Sequence, residues 1–206
     1  MKRTLCLFLL PFSSLQVGGQ DFSLWNQEIL NNANTGVSAN YLTNEEKKVL
    51  LLVNLARLDG KAFIKNVLDP FVEETKPTNN SYLKSLYVDL RNTSGLQTLA
   101  SHKKLSEGTA YHANDMGKKG DTGHDSSDGT DCFVRIKRFY KGGYMAENCS
   151  YGYGDALNIV MQLLIDDGVS SKGHRFNILG KPYKQIGISI RPHKVYTYNC
   201  VMDFSD

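Results

Sequence analysis

The 206-residue chain reads as an α+β domain, and three features say so. Apolar residues recur at helical spacing in four separate stretches, three of them ended by a glycine. Near the C-terminus the period changes to two, with Ile186, Ile188 and Ile190 alternating against other residues before the chain turns back. Helices that bracket a few antiparallel strands point to layered α+β architecture.

The elements follow in order. Thr43 with Glu46 three residues later makes a capping box, and Val49, Leu50, Val53 and Ala56 give the helical face behind it, ending near Asp59-Gly60. Leu83, Leu86, Tyr87 and Leu90 form a second stripe after a loop around Pro77. Leu105, Thr109, Ala113 and Met116 form a third, closed by Lys118-Lys119-Gly120. Ala156, Val160, Leu163 and Leu164 form a fourth, again expected to end at glycine. After the isoleucine strand, Pro192-His193-Lys194 marks a turn and Val195 to Phe204 returns as its hairpin partner. No internal repeat is visible.

Residues 1–19 read as a secretory leader: Lys2 and Arg3 are the basic start, Leu5 to Phe12 the apolar stretch, and Val17 and Gly19 the small residues of a cleavage site. The apolar stretch is too short to span a bilayer, and no later run replaces it, so no stable membrane insertion is expected. Residues 20–40 are polar and rich in asparagine, with isolated Phe22, Leu24 and Trp25, and are expected to form a flexible N-terminal arm. The rival reading has those three side chains docked in a groove. Residues 41–206 are the domain itself. Loss of Lys2 and Arg3 leaves 22 basic against 21 acidic residues, from 24 against 21, and a balance so near zero gives no reason to expect nucleic acid as a partner.

Cys6 leaves with the leader, and Cys132, Cys149 and Cys200 remain. Export allows one disulfide between two of them, with Cys149 and Cys200 favoured because both sit in strand-like segments. None has CxxC spacing, so a thiolate zinc cluster of the finger type is not expected. The sequons at Asn79, Asn92 and Asn148 are acceptors for glycan in a eukaryotic secretory route.

Three separated segments carry candidate chemistry. His124 lies in the loop TGHDSSDG, Glu147 is the lone acid of MAENCSYG, and His174 opens a helix in SSKGHRFNILG. Glu147 sits among apolar and small residues, a setting that perturbs a carboxylate. His112 reads as a core or cavity-edge histidine on the third stripe, while His102 and His193 read as exposed. Asn54 and Arg57, and likewise Arg175 and Asn177, read as structural polar networks. There is no HExxH, GxSxG, P-loop or GxGxxG.

Read together, LLVNLARLDG, LSEGTAYHANDMGKKG, GHDSSDGTDCFVRIKRF, AENCSYG, GHRFNIL, IGISI and VMDF resemble the CAP family, the cysteine-rich secretory, antigen 5 and pathogenesis-related proteins also called SCP domains. The resemblance runs from Thr43 to Phe204. It implies a three-layer α-β-α sandwich with a small central antiparallel sheet, in which His124 and His174 are the two facing histidines of a cavity that binds zinc in several members. Glu147 matches the family's Gly-Glu-Asn acid, with Ala146 in place of the glycine. The family's second cavity acid falls near Asp166 and Asp167, and Asp166 is taken as the candidate.

Two functions fit. The first is a secreted, monomeric binding module that takes a small lipophilic ligand or an extracellular protein, with Zn2+ at the two histidines. The second is a metal-assisted extracellular hydrolase in which Glu147 or Asp166 activates a water as general base.

Overall fold

The computed structural model describes residues 16–17 and 20–206. The expected leader lies outside the described residues apart from Gln16 and Val17, which form β1 (Gln16–Val17) and pair antiparallel with β2 (Gln20–Asp21).

The arm expected over residues 20–40 is corrected by the helix α1 (Gln27–Ala33) and by burial. The Asn26 side chain accepts the N–H groups of Glu28 and Ile29 at 2.8 and 3.2 Å, which starts the helix. Phe22, Trp25, Leu30 and Ala33 then join the main hydrophobic core, and Asn54 Nδ2 donates to Ala33 O at 3.0 Å. The helix is two turns long and its largest apolar partners precede it in the chain, so no periodic stripe announces it.

Helix α2 (Asn44–Leu58) begins with the capping box, both of whose bonds form, and every residue from Val49 to Arg57 is buried. It is the central helix, packed on its neighbours all round rather than along one stripe. Asp59 ends it and starts α3 (Gly60–Phe63), followed by a π-turn over Ile64–Leu68 and α4 (Asp69–Thr75). Gly60 is required there: a Cβ would lie 2.0 Å from Leu90 O of α5 (Ser81–Arg91). Arg57 is wholly buried yet donates to the carbonyls of Gln97, Ile178 and Gly180 at 2.7–2.9 Å, which ties this layer together.

After β3 (Ala100–Ser101), helix α6 (Lys103–Lys119) closes at Gly120 with φ 82°, as the sequence predicts. Then come α7 (Cys132–Phe139), β4 (Met145–Tyr151), α8 (Ala156–Ile165), α9 (Gly173–Ile178) and the hairpin β5 (Gln185–His193) to β6 (Thr197–Ser205). Helix α8 ends at Asp166 in the left-handed region, φ 58°, and not at the expected glycine. The hairpin turn lies two residues later than expected, because Pro192 and His193 still pair with Tyr198 and Thr197. His193 is buried rather than exposed, its ring held at Asp121 O and by the N–H groups of Val195 and Tyr196.

The four-stranded sheet has the order β3-β5-β6-β4, with β3 parallel to β5 and the three long strands antiparallel. Its register places Ile186, Ile188 and Ile190 opposite Phe204, Met202 and Cys200, and this apolar face packs on α2 and α8 in the main core. The other face packs on α6 and α7. Helix α6 comes so close that a Cβ on Gly187 would lie 2.3 Å from the backbone of Leu105. The layers are therefore helices, sheet, helices: an α-β-α sandwich.

That register also corrects the favoured disulfide. Cys149 pairs with Val201 and Cys200 with Ser150, one residue out of step, so the two side chains leave opposite faces of the sheet. Cys132, Cys149 and Cys200 are free thiols.

Candidate functional site

Strand β4 is the edge of the sheet, and Cys149 and Tyr151 on one of its faces line a cleft of about 480 Å3. Cys149, Tyr151, Leu163, Asp166, Val169 and His174 are among its walls.

On the α6–α7 side the centre is Glu147. It is buried, with its side chain 1 % exposed, and strand register sets Asp203 directly opposite it on the same face. His124 Nδ1 lies 2.9 Å from Glu147 Oε1. Arg135 of α7 donates from Nη2 to Glu147 Oε2 and from Nη1 to His124 O at 2.6 Å, so one guanidinium fixes both the acid and the loop that carries the histidine. The thiols of Cys132 and Cys149 donate to Glu147 Oε1 at 3.3 and 3.6 Å. His112, wholly buried, donates from Nε2 to Gly123 O at 3.0 Å and props the same loop.

The electrostatics follow from these contacts. Burial alone would raise the Glu147 pKa, but the His124 hydrogen bond and the Arg135 and His112 charges outweigh it and hold the group at about 2. Asp203, desolvated and facing the Glu147 charge, has its pKa pushed well up. The bond to Glu147 raises the His124 pKa, while burial lowers that of His112. Burial, followed by the Glu147 charge, raises both Cys132 and Cys149.

On the α8–α9 side, His174 Nδ1 lies 2.7 Å from Asp166 Oδ1. Asp166 Oδ2 accepts the backbone N–H groups of His174 and Arg175 at 3.0 and 3.2 Å, so the acid anchors the start of α9 as well as orienting the ring. The left-handed turn at Asp166 aims its carboxylate back at that helix. Asp167 is exposed and held by Asn80 instead, which decides between the two aspartates. Below them Arg175 is buried against the carbonyls of Leu164 and Ile165, Ser85 and Asp89. Asn148, also wholly buried, donates to His174 O at 3.0 Å and accepts from Asn177 at 2.8 Å.

The structure thus brings each sequence-predicted histidine onto one sequence-predicted acid: His124 on Glu147 and His174 on Asp166. In both pairs Nδ1 is committed to a carboxylate and Nε2 is left for another partner. Cys149 joins the two halves, since its thiol lies 3.8 Å from His124 Nδ1 and also lines the cleft beside His174. Among the described residues, the metal-capable groups of three are His112, Glu147 and Cys149, and His124, Cys132 and Glu147; His174 is in neither. Sequence reasoning missed Arg135, Asp203 and the two thiols as parts of this centre. The one available signal was Asp203, a lone acid between Met202 and Phe204 in an apolar strand.

A chain so built can be compared with known proteins. Residues 85–204 match the family model described as CAP, the cysteine-rich secretory protein family. No curated protein sequence matches the chain. Among solved structures it is similar to an extracellular protein containing a SCP domain from Bacillus anthracis, at 17 % identity and a TM-score of 0.49, covering 80 % of this chain and 44 % of that one. An outer surface protein of Borrelia burgdorferi gives 19 % and 0.46 over 61 % of this chain and 92 % of that one. A cysteine-rich secretory protein of Staphylococcus aureus gives 17 % and 0.42 over 63 % of this chain and 40 % of that one. The chain therefore spans under half the length of the Bacillus anthracis protein. With the family model covering more than half of its length, and the sandwich and its edge-strand cleft in place, the chain belongs to the CAP family.

Proposed function

We propose that this is a secreted CAP module, exported by the leader over residues 1–19, that acts as a monomer by binding in the cleft beside β4. The cleft takes a small lipophilic ligand between its aliphatic and aromatic walls, and a divalent cation, zinc above all, at the rim between His124 and His174. The observation that carries this reading is the pair of imidazole–carboxylate contacts, 2.9 and 2.7 Å long, which orient both rings with Nε2 free. Two neutral nitrogen donors make a loose and exchangeable site, suited to a binding or switching role more than to the three-ligand arrangement of catalytic zinc. No helix among the described residues is long and apolar enough to cross a membrane.

The hydrolase reading is the weaker one. A general base works best with a pKa near the working pH, and Glu147 is held at about 2 with both oxygens engaged. Asp166 likewise has both oxygens in use.

Zinc titration of the wild-type protein, His124→Ala and His174→Ala tests the rim site: each substitution is expected to weaken binding, and unchanged affinity in both overturns it. A rise in melting temperature with a single-chain lipid tests the ligand class, and no rise with lipids of any chain length removes it.

A further inference from the structure

We propose that Cys132 Sγ, Cys149 Sγ, His124 Nδ1 and Glu147 Oε1 form an inner metal site for a thiophilic divalent cation of the zinc class. It deepens the metal part of the reading above and rests on the cleft admitting a cation, but it takes nothing from His174.

The first support is spacing. Metal bonds of about 2.3 Å to sulfur and about 2.0–2.2 Å to nitrogen and oxygen give a tetrahedron with edges of about 3.3–3.8 Å. The donor atoms here stand 2.9 Å (His124 to Glu147), 3.3 Å (Cys132 to Glu147), 3.6 Å (Cys149 to Glu147) and 3.8 Å (Cys149 to His124) apart. His124, Cys132 and Glu147 all lie within 4.8 Å of one another. Three donors from a loop, a helix and a strand are thus gathered near ligand–ligand separations, with the Cys149 thiol beside two of them.

The second support is convergence on one oxygen. Glu147 Oε1 has the His124 ring nitrogen and the Cys132 and Cys149 sulfurs around it, and the Cys149 proton has Gly123 O as an alternative acceptor at 3.6 Å. A single cation would bind the oxygen and both sulfurs at once.

Charge is the third. Two thiolates and the Glu147 carboxylate exceed a divalent ion by one negative charge, and the buried Arg135 guanidinium on Glu147 Oε2 cancels it. Coordination deprotonates both thiols. On entry the two thiol protons leave to solvent and the His124 proton moves from Nδ1 to Nε2. That blocks Nε2, so an ion in the inner site empties the rim site of its His124 ligand. The path in is open, since His124 is 51 % exposed and Cys149 lines the cleft.

The test adds Co2+ alone to reduced, metal-stripped full-length protein and reads its spectrum. The wild type is expected to show thiolate-to-cobalt charge transfer in the near ultraviolet with tetrahedral visible bands. Cys132→Ser and Cys149→Ser should each lose that absorption and weaken binding by more than the about 10–100-fold that losing a supporting partner costs. His174→Ala should leave both unchanged. Binding without thiolate absorption, abolished by His174→Ala, overturns the inner site and leaves the rim site standing. Thiolate absorption indifferent to His174 supports the inner site and removes the rim site, and no binding at all overturns both. The wild-type spectrum decides the matter without variants should either serine protein fail to fold.

Discussion

On one face of the sheet Ile186, Ile188, Cys200, Met202 and Phe204 pack into the main core, while the same strands, with β4, present Ser189, Asp203, Glu147 and Cys149 to α6 and α7 on the other. The apolar face is held by area removed from water, which is additive and forgiving: each large side chain contributes roughly 1.5–3 kcal/mol and accepts substitutes of similar volume. The Glu147 face is held by specific pairing, where removing one partner strands another. The candidate site is concentrated on the second face and at the edge where the two meet. A one-residue slip of register would exchange them, so the isoleucine alternation specifies the site as firmly as it specifies the core.

The comparison can be broken most forcefully on the apolar side. Deleting residues 20–40 removes the buried side chains of Phe22, Trp25 and Leu30 from that layer. The expected fall in melting temperature exceeds about 8 °C, at about 2–4 °C per kcal/mol for a chain of this size. A smaller fall would return those residues to the status of an arm.

On the paired side, Arg135→Met leaves Glu147 buried without its cation and should cost about 3–5 kcal/mol in urea unfolding. Arg135→Met with Glu147→Gln should recover part of that loss. Equal losses in the single and double variants would show that the guanidinium matters for packing and not for charge.

Acid sharpens the contrast. The folded-state pKa of Glu147 is depressed to about 2 from the ordinary glutamate value of 4.5. Its contribution is therefore present above about pH 4.5 and lost as pH falls toward 2. With each pKa unit worth 1.36 kcal/mol, that is about 3 kcal/mol. Metal-free Glu147→Gln should lack this part of the acid dependence, and an identical pH profile in both proteins would sink the assignment.

The smallest effect is expected at Ser189, whose buried hydroxyl has no hydrogen-bond partner among the described residues. Ser189→Ala should be neutral or stabilise by up to about 1 kcal/mol, because it removes an unpaired polar atom. A loss of more than that would reveal a partner for the hydroxyl, and the unfolding midpoint reads it directly.

What could be read from the sequence was whatever depends on near neighbours. The Thr43–Glu46 box, the Gly120 stop and the alternating isoleucines each declare themselves within a few residues, and the structure has all three. Motif resemblance pointed to the two histidines, Glu147 and Asp166, and the structure puts His124 against Glu147 and His174 against Asp166, with Asp167 held by Asn80 instead. Helix α1 was illegible because its burial is against distant Asn54 and the main core, not along a stripe of its own. Arg135 lay hidden in CFVRIKRF, a run that looks like an ordinary basic surface helix until β4 places Glu147 beside it. The disulfide expectation failed on parity: strand-like segments can be neighbours while their cysteines face opposite ways.

Asn148 has a consequence for how the protein is made. It heads the sequon Asn148-Cys149-Ser150, yet in the folded chain its amide is enclosed and bonded to His174 O and Asn177. In a host that attaches sugar to asparagine, the transferase can reach Asn148 only before β4 joins the sheet. A glycan placed there first would bar the strand from closing. Glycan occupancy at this asparagine thus times folding against translocation, with every occupied molecule a record of a chain that was too slow.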